Sequence, residues 1–148
     1  LYTVPLSFRF GLCSLAVFPE LPYTLEPQAL LNAINHATKE EKEELIDIAS
    51  EMVKLSQENI YSHTLDHGFH SKLYESGNNT AIYQIIINIR EDRFVRQQDS
   101  KSGNDSIWLP TVSKHLELAN AIYRKDIKAA FQAVDEINDY GFNLKSEQ

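Results

Sequence analysis

Thr38-Lys-Glu-Glu-Lys-Glu-Glu-Leu-Ile-Asp-Ile-Ala-Ser-Glu-Met-Val-Lys-Leu55 is the run that decides the fold class. Thr38 and Glu41 have the spacing of a capping box. The threonine hydroxyl can accept from the backbone N–H three residues on, while the glutamate reaches back to the N–H of Thr38. Leu45, Ile48, Ala49, Met52 and Leu55 then recur on one face at helical spacing as far as Gln57. Lys39 to Glu44 reads as a solvated first turn, with its acids where the helix dipole favours them.

The same periodicity extends in both directions. Leu25, Leu30, Leu31 and Ile34 predict a first helix ending near Ala37. A third helix runs from about Ile60 to Glu75 and is expected to stop at a left-handed Gly77. Asn78 and Asn79 open a fourth, with Ile82, Ile85, Ile86 and Ile89 as its stripe to about Gln97. The length of that periodic segment favours helix over strand despite the isoleucines. Asp99 to Ser106 is the clearest loop. Pro110 suits the first turn of a fifth helix carrying Val112, His115, Leu118, Ala119 and Ile122. Asp126 caps a sixth, striped by Ile127, Ala130, Phe131, Val134 and Ile137 and expected to end at Gly141. The expectation is an all-α antiparallel bundle of about six helices over residues 23–148. Residues 1–22 read as a linker or docking segment.

Composition narrows the function. The 148 residues fit one domain with a sizeable core. A net charge of −7 gives no basic surplus for a phosphate backbone, so any contact with DNA falls to another domain. Cys13 is the single cysteine and cannot form an internal disulfide, which suits a reducing, cytoplasmic setting. The apolar stretch at residues 5–19 is too short for a membrane span and is interrupted by Arg9. The chain opens on Leu1 rather than Met, which suggests a piece of something longer. There is no glycine-rich phosphate loop and no nucleophile elbow.

The chemistry gathers on the third helix, in Tyr61-Ser-His-Thr-Leu-Asp-His-Gly-Phe-His70. Leu65, Phe69 and Leu73 make its apolar face. Asp66 and His70 lie beside that face, whereas His63 and His67 fall further round, toward solvent. Side chains at i and i+4 are neighbours, so Asp66 and His70 can share a hydrogen bond or chelate one metal ion. His115 sits within the apolar face of the fifth helix, and a buried imidazole needs a partner. Polar residues pointing inward from two helices are how bundles build metal or ligand centres. Arg93 continues the Ile82, Ile86, Ile89 face. Either its guanidinium enters the bundle to meet a carboxylate or phosphate, or its stem covers apolar surface and its head reaches water. Arg90 and Arg96 flank that face and are weaker candidates. Trp108 is an anchor in the core or at an interface.

Asp66-His-Gly-Phe-His70 followed by Glu75-Ser-Gly-Asn78 resembles the signature of the FCD domain, the effector-binding half of FadR-type GntR transcription regulators. Lys114-His115, Ile122, Asp126, Ala129 and Ala130 resemble the stretch near that domain's end. Leu25-Glu26 with Ala29 and Leu30 resembles its opening helix. The resemblance spans about residues 22 to 140. It implies a helical bundle that dimerises and is preceded by a winged helix-turn-helix absent from this chain. Many members hold a divalent metal such as zinc with one Asp and three His. By match, Asp66, His70 and His115 are three of these ligands, and Ile137 replaces the fourth.

The resemblance implies a sensor of a small organic acid. The expected effector contacts are Arg93, Asp66, His70, His115 and Asn78, with Arg93 pairing the carboxylate. Two rivals are a small metal-dependent hydrolase built on the Asp/His/His trio, and a helical dimerisation module whose polar cluster is inert.

Overall fold

The computed structural model describes residues 21–99 and 108–146. Six helices fill them: α1 (Leu21–His36), α2 (Lys39–Ser56), α3 (His63–Glu75), α4 (Thr80–Asp99), α5 (Leu109–Arg124) and α6 (Ile127–Ser146). No strand occurs among the described residues, so the all-α expectation holds. None of the helices described is long and apolar enough to cross a membrane. The expectations for residues 1–20, Cys13 among them, and for the loop at 100–107 fall outside the described residues. So do those for the side chains of Arg93 and Arg96.

Local chemistry sets the helix ends. At α2 the capping box forms as expected: the Glu41 N–H donates to Thr38 Oγ1 at 3.1 Å, and the Thr38 N–H donates to Glu41 Oε2 at 2.8 Å. Ser62 caps α3 by accepting from the Leu65 N–H, which places the start of α3 at His63 rather than near Ile60. Asn79 and Asp126 cap α4 and α6 in the same way, accepting from Ile82 and Ala129. Pro110 lies in the first turn of α5.

Three expectations are corrected. Gly77 is not left-handed; that conformation belongs to Asn78, at φ 56°. Glycine is required at 77 for room instead. A Cβ there would stand 2.9 Å from Asn32 Cβ and 3.3 Å from the Ala33 nitrogen, so the end of α3 rests directly on α1. Gly141 does not end α6, which continues to Ser146. An internal glycine costs only about 1 kcal/mol, too little to stop a helix that is otherwise favoured. Lys42 is buried rather than solvated, and its Nζ donates to the Ile34 carbonyl in the last turn of α1. That bond satisfies a carbonyl left over at the helix end.

α5 packs against α6 and α2, α3 bridges α2 and α4, and α1 lies against α3, α4, α6 and α5. So α1 makes its main contacts away from α2, its neighbour in sequence. The core runs through Leu30 and Ile34 of α1, Leu45 and Met52 of α2, Phe69 and Leu73 of α3, and Leu118 and Ile122 of α5, all buried. Each large apolar side chain removed from water contributes about 1.5–3 kcal/mol. Phe69 and Leu73 anchor one face of α3 in this core and thereby fix where the adjoining face, with Asp66 and His70, must point.

Candidate metal and effector centre

Asp66 and His70 stand one turn apart on α3, and His115 reaches the same point from α5. His115 is fully buried, His70 is 3% exposed, and the Asp66 side chain keeps 23% of its surface in solvent. The trio is therefore closed on the histidine side and open at the carboxylate. The two imidazoles meet at 3.1 Å, Nε2 to Nε2. His115 Nε2 lies 3.4 Å from Asp66 Oδ2, and His70 Nε2 lies 3.7 Å from Asp66 Oδ1. One ligand atom from each residue falls within 4.8 Å of the others. Phe69 closes the back of the site, with its ring edge-on to both imidazoles.

Protonation follows from the neighbours. His115 Nδ1 lies 2.8 Å from the Thr111 carbonyl, which can only accept, so Nδ1 carries the proton. In the neutral ring, Nε2 then presents a lone pair to the centre. His70 Nε2 faces that lone pair, while His70 Nδ1 is buried and has no hydrogen-bond partner. A proton on His70 Nε2 satisfies His115 and leaves Nδ1 bare. A proton on Nδ1 sets two lone pairs against each other. Neither tautomer satisfies both rings.

A divalent cation held between the two rings would take both Nε2 lone pairs at once. Two imidazole nitrogens bound to one tetrahedral zinc at about 2.0–2.1 Å lie about 3.3–3.4 Å apart, so a shift of a few tenths of an ångström from the spacing seen here admits the ion. The His115–Thr111 bond also has the form of the outer contact that orients a ligating histidine. The donor set of this chain therefore fits a divalent metal.

Charge supports the same use. Burial alone would push the Asp66 carboxyl up, but the histidine pair and Arg90 outweigh it and hold Asp66 well below the usual carboxylate range. Burial, helped by Arg90, drives His70 below its ordinary value despite the pull of Asp66. An ionised carboxylate and a neutral imidazole are the forms that bind metal. Tyr61 adds a hydroxyl that donates to Asp66 Oδ2 at 2.7 Å.

The family model for the FCD domain matches residues 20–139. The chain belongs to the FCD-domain family. FCD domains are the C-terminal, effector-binding domains of GntR-family regulators, and they are typically regulatory rather than catalytic. No curated protein and no solved structure matches the chain.

Within this FCD domain the sequence-predicted residues fall into two groups. Asp66, His70 and His115 are brought together. Ile137 is buried in the core and offers no ligand atom. Asn78 lies beyond the far end of α3, about 12 Å along the helix axis from His70 at the usual rise. It is exposed, and its left-handed backbone ends the helix. His63 and His67 are half-buried rather than turned fully to solvent, and His63 meets the Tyr61 ring edge-on.

Sequence reasoning missed the polar cluster beside the trio. Glu26 of α1 is buried and accepts from the Tyr74 hydroxyl of α3 and the Asn138 amide of α6. Tyr74 stacks on His70 with ring centroids 5.9 Å apart. Burial and the Glu26 carboxylate push the Tyr74 hydroxyl well above its ordinary range, so it remains a donor. Arg90 lies over one of these groups, its guanidinium carbon 5.9 Å from the Tyr74 ring centroid. The usable signal was Arg90's spacing from Ile86 and Ile87, which places it on their buried side.

Proposed function

We propose that this FCD domain senses a small organic acid through a divalent metal held by Asp66, His70 and His115. The observation that carries this reading is the meeting of two imidazole Nε2 atoms at 3.1 Å beside an ionised carboxylate. Three protein ligands leave positions on the metal for an effector carboxylate, and Ile137 in place of a fourth ligand keeps them open. When bound, the metal supplies a fixed positive charge that attracts an acid. The chain's own residues hold and orient it: Asp66 through Tyr61, and His115 through Thr111.

The domain works as a homodimer in the cytoplasm, in a regulator whose DNA-binding winged helix-turn-helix lies outside these residues. The acidic balance of the chain agrees with that division of labour. Effector binding favours one arrangement of the dimer and so shifts the DNA-binding heads. Among the described residues, the nearby Glu26 is occupied by Tyr74 and Asn138, which does not favour it as the base of a hydrolase.

The test is metal analysis of the purified chain, followed by thermal shift with organic acids before and after chelation. Zinc at 100 times its Kd adds about 2.7 kcal/mol, roughly 5–10 °C for a domain of this size. Asp66→Ala and His115→Ala should each abolish that gain and the response to acids. Unchanged acid binding in both variants would sink the assignment.

A further inference from the structure

Tyr61 stands between two fixed points of the chain. Behind it, the chain leaves α2 through a left-handed Asn59, at φ 59°, and the Ile60 N–H donates back to the Leu55 carbonyl at 3.0 Å. Ahead of it, Ser62 caps α3 by accepting from the Leu65 N–H. The Tyr61 ring meets His63 edge-on, with centroids 4.9 Å apart. These contacts bring the phenol over the first turn of α3, where its hydroxyl donates to Asp66 Oδ2 at 2.7 Å. Asp66 is the most exposed member of the trio, so Tyr61 meets the centre on its open side.

The hydroxyl makes the two oxygens of Asp66 unequal. Oδ2 carries the hydrogen bond from Tyr61 and lies 3.4 Å from His115 Nε2. Oδ1 faces His70 Nε2 at 3.7 Å. A donor on one oxygen draws negative charge toward itself and weakens that oxygen as a metal ligand. It also resists the turn of the carboxylate that brings both oxygens onto one ion.

We infer that Tyr61 is a positioning residue that makes Asp66 hold the metal through Oδ1 alone, so that a position on the ion stays open to exchange. This rests on the metal reading above and deepens it. The response to an acid then depends on a side chain that touches neither metal nor acid. Without the hydroxyl, the second oxygen of Asp66 is free to close that position.

The experiment loads the full chain with cobalt(II), a visible stand-in for zinc, and titrates it with acetate. Four-coordinate cobalt(II) absorbs far more strongly in the visible than five- or six-coordinate cobalt(II). Wild type should give the strong bands, and acetate should shift them. Tyr61→Phe should take up cobalt, give weaker bands and bind acetate about tenfold more weakly or worse. Ser62→Ala removes the neighbouring cap instead; it should melt earlier and keep the bands and the acetate response of wild type. If Tyr61→Phe does not fold or load, infrared difference spectra of zinc-loaded against metal-free wild type decide. The two stretches of a carboxylate lie far apart when one oxygen binds and close together when both do. Asp66→Ala identifies which stretches belong to Asp66. A narrow splitting at Asp66 overturns the inference, as do wild-type bands and acetate affinity in Tyr61→Phe. Lost stability in Tyr61→Phe with unmoved bands also overturns it, because that is a structural role alone. If wild type loads metal and Asp66→Ala does not, such a result removes only the role of Tyr61. If wild type takes up neither zinc nor cobalt, the metal reading fails and takes the inference with it.

Discussion

Two buried polar clusters lie side by side in this bundle, and they differ in how far they satisfy themselves. At Glu26 the carboxylate is met on both sides: a tyrosine hydroxyl and an asparagine amide each give it a hydrogen. Around Asp66 the matching is incomplete. Two imidazole nitrogens face each other, and the far nitrogen of His70 has no partner. Burial is comparable, since Glu26, His70 and His115 are all less than 10% exposed. The contrast teaches that burial of a polar group says little about its use. A cluster that closes its own hydrogen bonds holds helices together, while one that leaves lone pairs converging is prepared for something brought from outside.

The comparison breaks most visibly at Glu26. Glu26→Ala strands the Tyr74 hydroxyl and the Asn138 amide and opens a cavity. It should cost about 2–4 kcal/mol in denaturant unfolding while zinc uptake survives. Loss of zinc uptake with normal stability would reverse the roles assigned to the two clusters. Chelation should act in the opposite sense. Removing metal lowers the melting temperature of wild type and leaves that of Asp66→Ala unmoved, a difference of about 2.7 kcal/mol at saturating zinc. Ile137→His sharpens the contrast by offering the trio a fourth ligand. Zinc affinity, read by competition with a chromogenic chelator, should tighten about tenfold, or about 1.4 kcal/mol. No tightening would mean that position 137 does not face the metal. Smallest is Thr38→Ala, which removes the α2 cap and should cost about 1 kcal/mol with zinc uptake unchanged. It calibrates what a purely structural loss looks like.

These features were unequally legible in the sequence. The capping box at Thr38 could be read because cap and partner are three residues apart. Asp66 and His70 could be read because one turn of helix makes them neighbours, and His115 because it interrupts an apolar stripe. Glu26 was visible only as a letter in an opening motif. Its partners are 48 and 112 residues away, and no local pattern encodes such a meeting. The choice between arginines was open for a different reason. Isoleucines at 82, 85, 86, 87 and 89 spread over much of the circumference of α4, so phase alone favours Arg93 as readily as Arg90. Packing of α4 on α1 and α3 buries Ile86, Ile87 and the Nε of Arg90, and only the assembled helices show it. At the end of α3, the glycine and the asparagine exchanged expected roles because sequence shows conformational permissiveness but not crowding.

That crowding has a consequence for how the chain can change over time. The space at Gly77 is filled by the Asn32 side chain and by the backbone of α1. Glycine is the smallest residue, so every mutation at this codon that changes the amino acid introduces a larger one. Tyr74, which ties α3 to α1 through Glu26, lies only three residues earlier. The interval between these two helices is thus a dimension that inheritance can widen but not narrow.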